Sequence, residues 1–98
     1  MKYDAWFSES ASETMLSLPD HAFLEVGDVV LLLTDHPELG RSYDPLYPAA
    51  RSDLPLRVIY AGTYGIYYTP DHQRHLIRVH FIEDQRMNPA TRFTGRLR

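Results

Sequence analysis

Four side chains in the second half of the chain have types suited to handling phosphate: Arg57, Arg78, His80 and Arg86. They fall within "LRVIYAGTYGIYYTPDHQRHLIRVHFIEDQRMNP", residues 56 to 89, where apolar residues alternate with arginine, histidine and tyrosine. Guanidinium forks match phosphate oxygens and stay charged at any cellular pH. A histidine, with a reference pKa of about 6.5, exchanges a proton near neutrality. Converging on one sheet face, these groups would suit acid–base chemistry at a phosphodiester. The plainer reading of the same alternation is a sheet with one wet face. The tyrosines carry two readings as well, as platforms for bases or as core and cross-strand partners, with Tyr67 the candidate platform. The terminal run "RFTGRLR" is either a phosphate-binding arm, with Arg92 its candidate contact, or a solvated end.

The elements that must position these groups follow from periodicity. Ninety-eight residues make one domain, residues 1–98, with a single core. "YDAWF", Tyr3 to Phe7, alternates and predicts a first strand. Ser8 or Ser10 is the candidate N-cap of a first helix, and Ser10-Ala11-Ser12-Glu13 fits a capping box. Ala11, Met15 and Leu18 form its apolar stripe, and Pro19 ends it. Ala22, Val26, Val29, Val30 and Leu33 then follow helical spacing, which predicts a second helix over 20–35. His36-Pro37 stops it, because the residue before proline is pushed out of the α region. "ELGRSYDPLYPAARSD" reads as loop, with a fragment of structure at most around Leu46 and Tyr47. Three strands follow: Leu56 to Ala61, Tyr64 to Tyr68 after a turn at Gly62, and His75 to Ile82 after "PDHQR". In the last, Ile77, Val79 and Phe81 share one face, and Arg78 and His80 the other. The predicted order, β-α-α-β-β-β, is an α+β domain with two N-terminal helices packed on one face of a mainly antiparallel sheet. The second helix should rest on Ile66, Val79 and Phe81.

Charge is divided along the chain. The net charge is −3. Residues 57–98 hold seven arginines against three acids, or +4, which leaves −7 for residues 1–56. An acidic helical half and a basic sheet half are expected. The absence of cysteine excludes disulfides and thiolate metal sites. His72 and His75 have an H-x2-H spacing but straddle a turn without a clear carboxylate partner, and no metal is expected. The longest aliphatic run, Val29 to Leu33, is too short to span a membrane, and the N-terminus has no signal-type apolar region. A cytoplasmic protein without membrane partners is the simplest expectation.

Tyr3 and "FSESA", "LPDH", "HPELG", "LPLRVIYAGTYGIYY" and "IRVHFIEDQRMNP", in that order, resemble the RelE/ParE superfamily of toxins from type II toxin–antitoxin (plasmid-stabilisation) systems. The resemblance covers nearly the whole chain. It implies a cognate antitoxin as partner, docked as a helix on an apolar rim or as a strand at a sheet edge. The RelE-like branch implies inhibition of translation by metal-independent, cofactor-free cleavage of mRNA on the ribosome. Arg57 then matches the arginine opening the second strand, Arg86 matches the basic residue after the last strand, and Arg78 and His80 lie between. The ParE-like branch implies a non-enzymatic inhibitor of DNA gyrase. A third alternative is a degenerate toxin that keeps only antitoxin binding. Where the family pattern has tyrosine-arginine-isoleucine, this chain reads Tyr64-Gly65-Ile66.

Overall fold

The computed structural model describes residues 2–43 and 56–86. Strand β1 (Asp4–Phe7) ends at Ser8, whose extended backbone lets its Oγ accept the Ala11 N–H at 3.0 Å and open helix α1 (Glu9–Ser17). The same hydroxyl donates to the His80 carbonyl at 2.6 Å, so the cap is also a tie to the last strand. Ser8 is therefore the cap, and Ser10 and Glu13 lie inside the helix rather than forming a capping box. Pro19 separates α1 from α2 (Asp20–Asp35). Helix α2 buries Ala22, Val26, Val30 and Leu33, with Val29 packed against the same core, as its spacing requires. It stops at His36, immediately before Pro37.

Strands β2 (Arg41–Ser42), β3 (Arg57–Ala61), β4 (Tyr64–Asp71) and β5 (Leu76–Asp84) complete a five-stranded sheet in the order β1-β5-β4-β3-β2. β1 runs parallel to β5, and the other neighbours are antiparallel. The expected α+β arrangement holds, with one strand more. Arg41 and Ser42 pair with Val58 and Arg57 inside the stretch read as loop; a two-residue strand is too short to alternate. Leu46 and Tyr47 lie outside the described residues. The β3–β4 hairpin turns on Gly62, whose φ of +59° suits a residue without Cβ. β4 continues to Asp71 because Thr69, Pro70 and Asp71 still pair with Arg78, Ile77 and Leu76. No helix among the described residues is long and apolar enough to cross a membrane.

One irregularity decides which side chains share a face. Tyr67 stands opposite Phe81 but Tyr68 opposite Val79, so His80 is an extra residue in β5, a β-bulge. Before it, Ile77 and Val79 point to the helices with Ile66 and Tyr68. After it the alternation is reset, and Ile82 takes the helix side. Phe81 is carried to the far face, where it packs with Leu56, Val58 and Tyr67. The expectation that Phe81 lies beneath α2 is corrected by this single inserted residue.

Candidate functional site

On the face turned away from the helices, Arg78 and His80 flank Val79 in a half-buried stretch of β5. Arg78 Nε and a terminal nitrogen donate to Asp71 Oδ2, each at 3.3 Å, and Arg74 donates to the same oxygen at 3.3 Å. Two guanidinium groups thus share one carboxylate, which leaves the cluster net positive. The Arg74 backbone N–H, followed by both guanidinium groups, holds the Asp71 carboxyl below the usual range, so it is charged at neutral pH. The guanidinium carbon of Arg78 sits 5.4 Å from the centre of the Trp6 ring, a cation–π contact across the β1–β5 register.

His80 Nε2 lies 3.1 Å from Thr69 Oγ1. Burial, and then the charge of Arg78, push the imidazole pKa below its ordinary value. The ring is therefore neutral at physiological pH, with a nitrogen able to exchange a proton with a hydroxyl. A fixed cation beside a neutral imidazole is an arrangement that can hold a phosphate and move a proton next to it.

The remaining expected site residues do not converge on this corner. Arg57 alternates with Ile59 and Ala61, which pack in the core beneath the helices, so it emerges on the helix side. There it donates to the Gly40 carbonyl and pairs with Glu38 at 3.2 Å. Next to it the Tyr68 hydroxyl accepts the Gly40 N–H at 2.9 Å and donates to the Pro37 carbonyl at 3.0 Å. Burial raises the Tyr68 pKa. The expected single cluster is thus split across the sheet, because residues of one parity in β3 and β5 need not share a face once pairing and bulge are fixed. Arg86 follows the other end of β5 and donates to both Asp84 oxygens. Tyr67 is fully buried, edge-on to Tyr43 with centroids 4.8 Å apart, which leaves no exposed ring for a base. Arg92 lies outside the described residues.

Four members of the corner were not singled out from sequence: Trp6, Thr69, Asp71 and Arg74. Trp6 was legible in principle, since alternation puts it opposite Ala5 and Phe7. Thr69 and Asp71 were not, because β4 was expected to end at Tyr68. Among the described residues no group of three or more histidines and acids is placed to hold a metal ion. His72 has both ring nitrogens engaged, Nδ1 with Tyr3 Oη at 2.6 Å and Nε2 with Glu38 at 2.7 Å.

The helix side carries a different kind of surface. Ala5, Phe7, Phe23, Leu24, Val30 and Leu31 line a groove of about 330 Å³ between β1 and α2. A second groove of about 290 Å³ beside α1, with Met15 and Leu16 in its wall, shares Phe7 and Phe23 with the first. Leu16, in the wall of the second groove, and Leu24 and Leu31, in the wall of the first, are 84%, 65% and 58% exposed.

No family model matches the chain, and no curated protein matches it. Solved structures do. The RelBE2 toxin–antitoxin complex of Mycobacterium tuberculosis superposes with a TM-score of 0.69 at 18% identity, over 86% of this chain and 99% of that one. The archaeal RelE–RelB complex of Pyrococcus horikoshii gives 0.69 at 16% identity, over 87% and 97%. The isolated RelE toxin of E. coli gives 0.68 at 11% identity, over 97% and 95%. The chain has the fold of the RelE toxins.

Proposed function

We propose that this chain is the toxin component of a type II toxin–antitoxin system. Its antitoxin seats an apolar helix in the groove between β1 and α2, and its target is mRNA on the ribosome. Support for the partner comes from the fold, whose relatives include RelE–RelB complexes, and from the exposed Leu16, Leu24 and Leu31. The observation that carries the chemistry is the neutral imidazole of His80 fixed beside Arg78. His80 Nε2 takes the proton of a ribose 2′-hydroxyl displacing the Thr69 contact. The 2′-oxygen attacks the adjacent phosphorus, Arg78 stabilises the added negative charge, and the leaving 5′-oxygen is protonated by solvent.

A second reading is favoured by the dispersal of the other cations. Arg57 is spent on Glu38 and Gly40, Arg86 on Asp84, and Gly65 stands where the family pattern has arginine. In that reading the protein keeps antitoxin binding and has lost cleavage. Primer extension on ribosome-bound mRNA after induction of wild type, His80→Ala and Arg86→Ala separates the two. Cleavage by wild type and Arg86→Ala but not by His80→Ala supports the first. Absence of cleavage with intact partner binding selects the second, and absence of cleavage with inhibited supercoiling moves the target to gyrase. Leu31→Asp should abolish co-purification with the antitoxin while leaving the thermal transition of the free chain in place.

A further inference from the structure

We propose that Trp6 is a stacking platform for a nucleobase of single-stranded RNA crossing the far face, with Arg78 as the cation that fixes its ring. This rests on the RNA reading above and adds to it a binding residue that the cleavage chemistry does not itself require. Ala5 and Phe7 line the helix-side groove, so alternation turns Trp6 to the opposite face. β1 is an edge strand, and Trp6 keeps 43% of its surface in solvent. Leaving the largest apolar side chain half in water forfeits burial that the core would otherwise gain, which points to a ligand.

The surroundings indicate which ligand. Arg78, held by Asp71, covers one side of the indole at 5.4 Å, and His80 and Thr69 continue the polar row on the same face. Stacking aromatic, guanidinium and hydrogen-bonding groups in one row match a base and its phosphate. An apolar protein segment would instead find its complement in the groove on the opposite side of β1.

Trp6 is the one tryptophan of the chain, so its emission reports on this site without any substitution. The full-length protein is titrated with a short end-labelled oligoadenylate, with RNA anisotropy and Trp6 emission followed together. Binding should quench Trp6. An abasic strand of equal length should bind about tenfold more weakly or worse, without quenching. Trp6→Ala should weaken RNA binding roughly 5- to 100-fold, and Trp6→Phe by less. Binding seen by anisotropy with unchanged emission, and equal affinity of Trp6→Ala, would overturn the platform and leave the RNA reading standing. No binding of the free RNA at all would also overturn the platform, and primer extension on ribosome-bound mRNA would then decide the cleavage reading separately. Quenching by the antitoxin but not by RNA would overturn the proposal and make Trp6 part of a protein interface.

Discussion

The two faces of the sheet are built on different principles. Beneath the helices, Val26, Val30, Leu33, Ile66, Tyr68, Ile77, Val79 and Ile82 form one buried layer, and its polar intruder, the Tyr68 hydroxyl, has both of its hydrogen-bonding roles filled. The far face is mixed. Leu56, Val58, Tyr67 and Phe81 bury themselves, while Arg78, Asp71, Arg74, His80 and Thr69 form a charged corner beside exposed Trp6. One face therefore holds the protein together by excluding water. The other uses groups whose mutual contacts are weak in water and whose value lies in what they present. Substitutions on the first should cost stability, and those on the far-face corner should cost function and alter pH dependence.

The largest effect should come from Leu33→Ala, at a fully buried position under the sheet. Loss of methyl groups and the cavity left behind should cost about 2–5 kcal/mol in urea denaturation. Tyr68→Phe should follow at about 1–3 kcal/mol, since the Gly40 N–H and Pro37 carbonyl lose a buried partner. Arg78→Ala should change stability by less than about 1 kcal/mol, because its pair with Asp71 is partly solvated. Equal destabilisation by Arg78→Ala and Leu33→Ala would erase the contrast between the faces.

Two smaller effects appear only against pH. The folded state holds the His80 pKa below its unfolded value of about 6.5, so the unfolded chain binds the proton first as pH falls. The stability linked to neutral His80 is complete above that pH and declines below it. His80→Gln should flatten this part of the stability–pH curve. Asp84, by contrast, is lowered from 3.8 to about 2 by hydrogen bonds from the Arg86 side chain and backbone. Its contribution is present above pH 3.8 and is lost as pH falls towards 2. Asp84 is partly covered but its Arg86 partner is exposed, so Asp84→Asn should give the weakest change of the series, and added salt should reduce it.

Much of the helix face was legible in the sequence. Ala22, Val26, Val30 and Leu33 recur at the helical period, and Ile77 and Val79 alternate with Arg78, so their burial follows from local spacing. The far face was less legible because its composition depends on pairing. A bulge at His80 has no local signature, yet it moved Phe81 to the other side. Arg57 looked like a partner for Arg78, but phase within β3 ties it to Ile59 and Ala61. Arginine at a strand start can reach water from either face, so residue type alone did not betray the side. Trp6, Thr69 and Asp71 joined the site through β1–β5 and β4–β5 register, which no short window of sequence contains.

The parallel pairing of β1 with β5 has a consequence for the order in which the molecule comes into being. Asp4 faces Leu76 and Phe7 faces Val79, so β1, the first described strand, finds its neighbour only in β5, the last described one. Hairpins β3–β4 and β4–β5 join neighbours in the chain, whereas β1 must wait for a closure spanning most of the polypeptide, with the entropy cost of a long loop. Trp6 meets Arg78 through that closure. The corner does not exist on a nascent chain whose last strand is still inside the ribosome that makes it. Formation of the tryptophan–arginine contact thus reports that β1 and β5 have both been made and have paired.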